Sequence, residues 1–102
     1  MSREVYRYSF VPAIPMAEVE ESLLLAVLAA ESLHGRSRVR LDVSYAVDAG
    51  KRACVIDASP PVGRDLCRIF TGFLSHEFGE RAFTVRRVET VPHAPRPQGV
   101  PA

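Results

Sequence analysis

The stretch from Ile14 to Gly35 constrains the fold more than any other part of the chain. It opens on Pro15 and closes on Gly35, and between them apolar residues return at helical spacing: Met16, Val19, Leu23, Ala26, Val27, Ala30 and Leu33. Proline in a first helical turn costs no hydrogen bond, because the first N–H groups of a helix have no intrahelical partner. Glu18, Glu20 and Glu21 fall near the positive end of the helix dipole, where negative charge is stabilising. Gly35 supplies a left-handed stop. Such a helix must bury its apolar stripe, so the rest of the chain has to provide the surface it packs on. Leu24, Leu25 and Leu28 widen the stripe beyond the needs of one core face.

The segments on either side read as a sheet and a second helix. Glu4 to Val11 alternates strictly, with Tyr6, Tyr8 and Phe10 on one face and Val5, Arg7, Ser9 and Val11 on the other, the pattern of a strand. Val39, Leu41, Val43, Tyr45 and Val47 alternate with Arg38, Arg40, Asp42, Ser44 and Ala46, which predicts a second strand with one wet face. Asp48-Ala49-Gly50 reads as a three-residue hairpin turn with glycine in the left-handed position. Lys51 to Ala58 returns as a third strand, and its Ala-Cys-Val-Ile run is apolar on both faces, which makes it central. Ser59-Pro60-Pro61 ends that strand and opens a helix carrying Leu66, Ile69, Phe70, Phe73, Leu74 and Phe78, stopped at Gly79. Ala82 to Val88 is a fourth strand.

The order β-α-β-β-α-β, with a tight hairpin in the middle, predicts an α+β, ferredoxin-like split βαβ sandwich: a four-stranded antiparallel sheet with two helices on one face. Its central strands are the first and the third. The domain is expected to span residues 1–90. Residues 91–102, rich in proline and without apolar period, are expected to form a disordered tail.

Composition narrows the function classes more than it selects one. At 102 residues the chain is a single domain, long enough for a core without staples. Thirteen basic against twelve acidic residues leave a net charge of +1, so no global field draws it to nucleic acid or membrane. The charge is nevertheless uneven: residues 1–35 carry two arginines against five glutamates, and the remainder is net basic. Leu23 to Ala30 is the longest apolar run, far below the ~20 residues of a membrane span. Cys54 and Cys67 form neither a disulfide framework nor a zinc ligand set. With no signal-like start, a soluble, cytoplasmic protein is the expectation.

The candidate sites are few. If the three aromatics of the first strand face the helices, the open sheet face carries Arg7, Arg38, Arg40 and Arg86, a set able to contact phosphates or simply to keep the face solvated. Val5, Val11, Ala53, Val55 and Val88 would lie among these charges as an apolar patch. RNA-recognition domains of this topology stack bases on central-strand aromatics, and here the third strand has none. His34 and His76 sit just before helix-stopping glycines, where a cation is favoured by the dipole. The thiols read as packing. Asp57, Ser59 and Arg64 converge on the start of the second helix as a possible loop-edge enzyme site, but the glycine spacing is not that of a phosphate loop. No catalytic constellation, metal site or cofactor motif is found. Three functions remain: a non-catalytic protein-interaction or assembly module, self-associating or a subunit of a larger complex; a nucleic-acid binder; and a small loop-edge enzyme. The first is favoured, with Leu24 and Leu28 as its interface residues.

Overall fold

A computed structural model describes residues 4–88. It is an α+β arrangement of β1 (Val5–Phe10), α1 (Met16–His34), α2 (Arg36–Asp42), β2 (Tyr45–Asp48), β3 (Ala53–Asp57), α3 (Pro61–Phe78), a 3-10 turn (Glu80–Ala82) and β4 (Phe83–Val88). The four strands form one open antiparallel sheet in the order β2-β3-β1-β4. The first and third strands are therefore central. The expected tail at 91–102 lies outside the described residues.

Tyr8 stands opposite Cys54 on β3 and Val85 on β4, and Phe10 opposite Phe83. Tyr8, Phe10, Cys54, Ile56 and Phe83 form the sheet side of the core. Against it α1 sets Met16, Val19, Leu23 and Ala26, and α3 sets Leu66, Cys67, Phe70 and Leu74. The aromatic row of β1 thus faces the helices, with Tyr6 packed at its edge. Tyr8 and Phe70 meet as a tilted pair with centroids 4.9 Å apart. Full burial of a side chain the size of Leu, Ile or Phe contributes ~1.5–3 kcal/mol, so this layer supplies most of the driving force.

Both long helices start and stop alike. Pro15 and Pro60 precede them in extended conformation without a side-chain cap, and Pro61 occupies the first position of α3. Gly35 (φ 89°, ψ 149°) and Gly79 (φ 92°, ψ 155°) end them. That corner of backbone space is almost closed to residues with a Cβ, so the two stops are glycine for one reason.

Three expectations need correction. The strand drawn over Val39–Val47 is split: Arg36–Asp42 is α2, and only Tyr45–Asp48 pairs with β3. Val39 is buried with Ala30 of α1 and Val62 of α3, a contact that a strand at the sheet edge could not make. The two expected helices are consequently three. The hairpin holds four residues, Ala49 to Arg52, between the paired Asp48 and Ala53, and the positive φ falls on Arg52 (54°), not on Gly50. Asp48 Oδ1 accepts from the Lys51 amide at 3.1 Å and closes the turn. Lastly, Leu33 and Phe73, whose spacing predicts core stripes, are exposed. In the last turn of α1 the inward positions go to Ala30 and to His34, which reaches α3.

Candidate functional site

The thiols and the buried tyrosine form one group inside the core. The Tyr8 hydroxyl donates to the Cys67 carbonyl at 3.3 Å and shares a 2.8 Å hydrogen bond with the Thr71 hydroxyl. Burial raises the Tyr8 phenol above its ordinary range. Burial likewise pushes the Cys54 thiol up to about 12 and the Cys67 thiol up to about 11. A thiol held neutral in this way is neither nucleophile nor ligand. These residues pack.

The loop-edge residues do converge, and the convergence is consumed by the fold. Asp57 Oδ1 accepts from the Ser59 amide at 2.9 Å, and the Ser59 hydroxyl accepts from the Glu4 amide at 2.9 Å. Arg64 Nη1 lies 3.4 Å from the carbonyls of both Ala58 and Ser59 and 3.9 Å from Glu4 Oε1. The nearby Gly63 has no room for a side chain, since an added Cβ would stand 2.0 Å from the Asp57 carbonyl oxygen. Asp57, Ser59 and Arg64 therefore stitch the start of β1 to the entry of α3.

The four arginines do not share a surface. Arg7 and Arg86 are cross-strand partners on the open face. Arg38 and Arg40 belong to α2, where Arg38 pairs with Asp42 at 3.7 Å. The segment carrying them became helix, which removes them from the sheet altogether. The apolar residues of the open face are also less available than their number suggests. Val5 and Ala53 are buried, Val55 and Val88 are half-buried, and of the five valine and alanine residues Val11 alone is exposed.

Exposed apolar surface gathers instead on the helix layer. On α1, Leu24, Leu25 and Leu28 are 58%, 57% and 57% exposed. Leu24 and Leu28 lie one turn apart on the face turned away from Val19, Leu23, Ala26 and Ala30. Leu25 sits toward α3, where with Ser22, Phe73, His76 and Glu77 it lines a shallow groove between the two helices. Two polar clasps hold the helices antiparallel beside this groove. At one end His34 Nε2 donates to Asp65 Oδ2 at 2.8 Å, and Arg68 reaches Asp65 Oδ1 at 3.2 Å. At the other the Ser22 hydroxyl donates to Glu77 Oε1 at 3.2 Å. The His34 hydrogen bond, helped by Arg68, holds the Asp65 carboxyl below its ordinary range.

No protein-family model, curated protein or solved structure matches this chain. Among the described residues no group of three or more His, Cys, Asp and Glu is placed to hold a metal ion, and no helix is long and apolar enough to cross a membrane. The structure turns Leu24 and Leu28 outward together and joins to them Leu25, which widens the same stripe, and Phe73, which spacing alone assigns to the core. Ser22, the buried serine of the clasp, occupies an inward position of α1 at i+3 from Val19 and i−4 from Ala26. A polar residue on an apolar stripe was the available clue to it.

Proposed function

We propose that this chain is a ferredoxin-like split βαβ domain with one helix added between α1 and β2, acting in the cytoplasm as a non-catalytic protein-interaction or assembly module. The strand order β2-β3-β1-β4, antiparallel throughout, supports the first part. The observation that carries the second is the outward row of Leu24, Leu25 and Leu28, each more than half exposed on one helix. Leaving three leucines in water forgoes several kcal/mol of burial, at ~1.5–3 kcal/mol each, and a partner seated on α1 recovers it. Large contiguous apolar patches on soluble domains mark interaction surfaces. The loop-edge polar residues support a structural role, because their hydrogen bonds are spent on the backbone.

The test is a photo-reactive amino acid placed at Leu28 in the living cell, with Ala46 on the exposed edge strand β2 as the control. A covalent adduct to protein from position 28 and none from position 46 is the expected result. No adduct at position 28 ends the reading.

A second reading, nucleic-acid binding on the open face, retains Arg7 and Arg86. Like charges directly across a strand pair are destabilising, and a phosphate between them would relieve that repulsion. Binding to RNA or DNA at low salt that is lost in Arg7→Ala and Arg86→Ala would favour it.

A further inference from the structure

The open sheet face is divided by strand. The charged residues that β2 and β3 turn to it are acidic, Asp48 and Asp57, and those of β1 and β4 are basic, Arg7 and Arg86. Arg7 stands in register with Arg86, and two residues along Ser9 stands in register with Thr84. Alternation puts all four side chains on this one face. Cross-strand partners lie about 5 Å apart at Cβ, and successive residues on one face of a strand about 7 Å apart. Two guanidiniums and two hydroxyls therefore rise from the corners of one small rectangle. Arg7 and Ser9, on the central strand, are half-buried, and Arg86 and Thr84, on the edge strand, are exposed. Among the described residues neither arginine meets a carboxylate, and neither hydroxyl has a hydrogen-bond partner. The fold thus holds two like charges opposite each other with donor capacity to spare.

We infer that Arg7, Arg86, Ser9 and Thr84 bind a phosphate monoester, its terminal group seated between the two arginines. The inference takes the arginine pair of the nucleic-acid reading and gives it a different ligand. A monoester carries a charge of about −1.5 to −2 at neutral pH and three strong acceptor oxygens. One such group balances both guanidiniums, whose planar forks match phosphate oxygens two at a time. The hydroxyls of Ser9 and Thr84 donate to the same oxygens. A phosphate within a nucleic-acid strand is a diester with a single charge, and it leaves one arginine uncompensated. A polyanion continuing across the sheet next meets Asp48 and Asp57, whereas a terminal group ends at β1 and β4.

The test is an amide NMR titration of the full chain at low salt with three probes. These are glycerol phosphate, dimethyl phosphate as the diester, and a short RNA strand without terminal phosphates. Glycerol phosphate should bind saturably, with its shifts centred on β1 and β4, and dimethyl phosphate at least about tenfold more weakly. Arg7→Gln and Arg86→Gln should each weaken the monoester about tenfold, as for a lost hydrogen bond between charged groups, and Thr84→Val about threefold. Arg86→Gln should also raise the urea midpoint of the ligand-free protein, because it removes a like charge facing Arg7. That rise separates loss of the site from loss of the fold. A phosphoserine peptide, titrated beside the ester, identifies the carrier of the group. Binding more than about tenfold tighter than the ester assigns it to a protein partner, and equal affinity to a small molecule, the site standing in either case. RNA binding without monoester binding overturns the inference and leaves the nucleic-acid reading in place; monoester binding without RNA binding does the reverse. Binding of neither removes both. Equal affinity for monoester and diester overturns the inference too. So does a midpoint lowered by Arg86→Gln, which means that the arginines are already neutralised within the fold.

Discussion

Gly63 meets the sheet so closely that the geometry of α3 depends on a hydrogen atom. With the Asp57 carbonyl oxygen 2.0 Å from where a Cβ would sit, Gly63→Ala must push the helix off β3. We expect a loss of about 3 kcal/mol or more, at the upper end of overpacking costs, read from urea unfolding. The thiols give a second residue-level expectation. Burial holds Cys54 at about 12 and Cys67 at about 11, so alkylation at neutral pH should proceed only as fast as the protein opens. Rapid labelling in the native state, followed by mass spectrometry, would contradict this. At Asp65 the sign is that of a depressed carboxylate. Its stabilisation is fully present above the unfolded value and is lost as pH falls through the lower folded value. Unfolding curves of the wild type and Asp65→Asn should therefore differ at neutral pH and converge below about pH 4. Cys54 was legible as packing, because it lies within an apolar run. Gly63 was not, since its meaning depends on a carbonyl that only the folded chain brings near.

At the scale of elements, proline and glycine punctuation made α1 and α3 legible, and strict alternation made β1 legible. The segment Arg36–Asp42 shows where such reasoning stops. Val39 and Val43 are four apart, a separation that fits both a period of two and a period of 3.6. Leu41 alone separates the alternatives, and it is 82% exposed. Seven residues are too few for the rest of the pattern to outvote it. The hairpin failed for a different reason. Arg52 adopts a positive φ that glycine would have filled more cheaply, because its guanidinium donates to the carbonyls of Val11 and Ile14 and lies 3.4 Å from that of Phe10. It ties the β2–β3 turn to the loop before α1, across about forty residues of sequence. Arg52→Met should cost about 1.5–3 kcal/mol, the range for hydrogen bonds from a charged donor. Arg52→Gly should lose less, since it relieves the backbone at the same position. Thermal unfolding of the two variants side by side checks the order.

The whole molecule is a layer of helices on one face of a sheet, with its surplus leucines on the outside of the helices. Counting faces along α1 identified the surplus in Leu24 and Leu28, since a helix needs one inward stripe and one flank. It did not identify Phe73, or the groove that Phe73 and Leu25 line, because that groove exists only once α1 and α3 lie side by side. Leu24→Lys and Leu28→Lys should each leave the unfolding free energy of the monomer within about 0.5 kcal/mol, as for exposed positions generally. A loss of several kcal/mol by urea titration would show that both residues belong to the core.

The helix Arg36–Asp42 also settles what the outer border of the sheet looks like. Had residues 38–47 remained extended, the border would be a long run of unpaired amides and carbonyls flanked by alternating valine and leucine, the kind of template on which identical chains stack without limit. Folding half of that run into α2 leaves a border of only four residues, Tyr45–Asp48. Those few residues thus turn an edge that would invite polymers into one too short to propagate them.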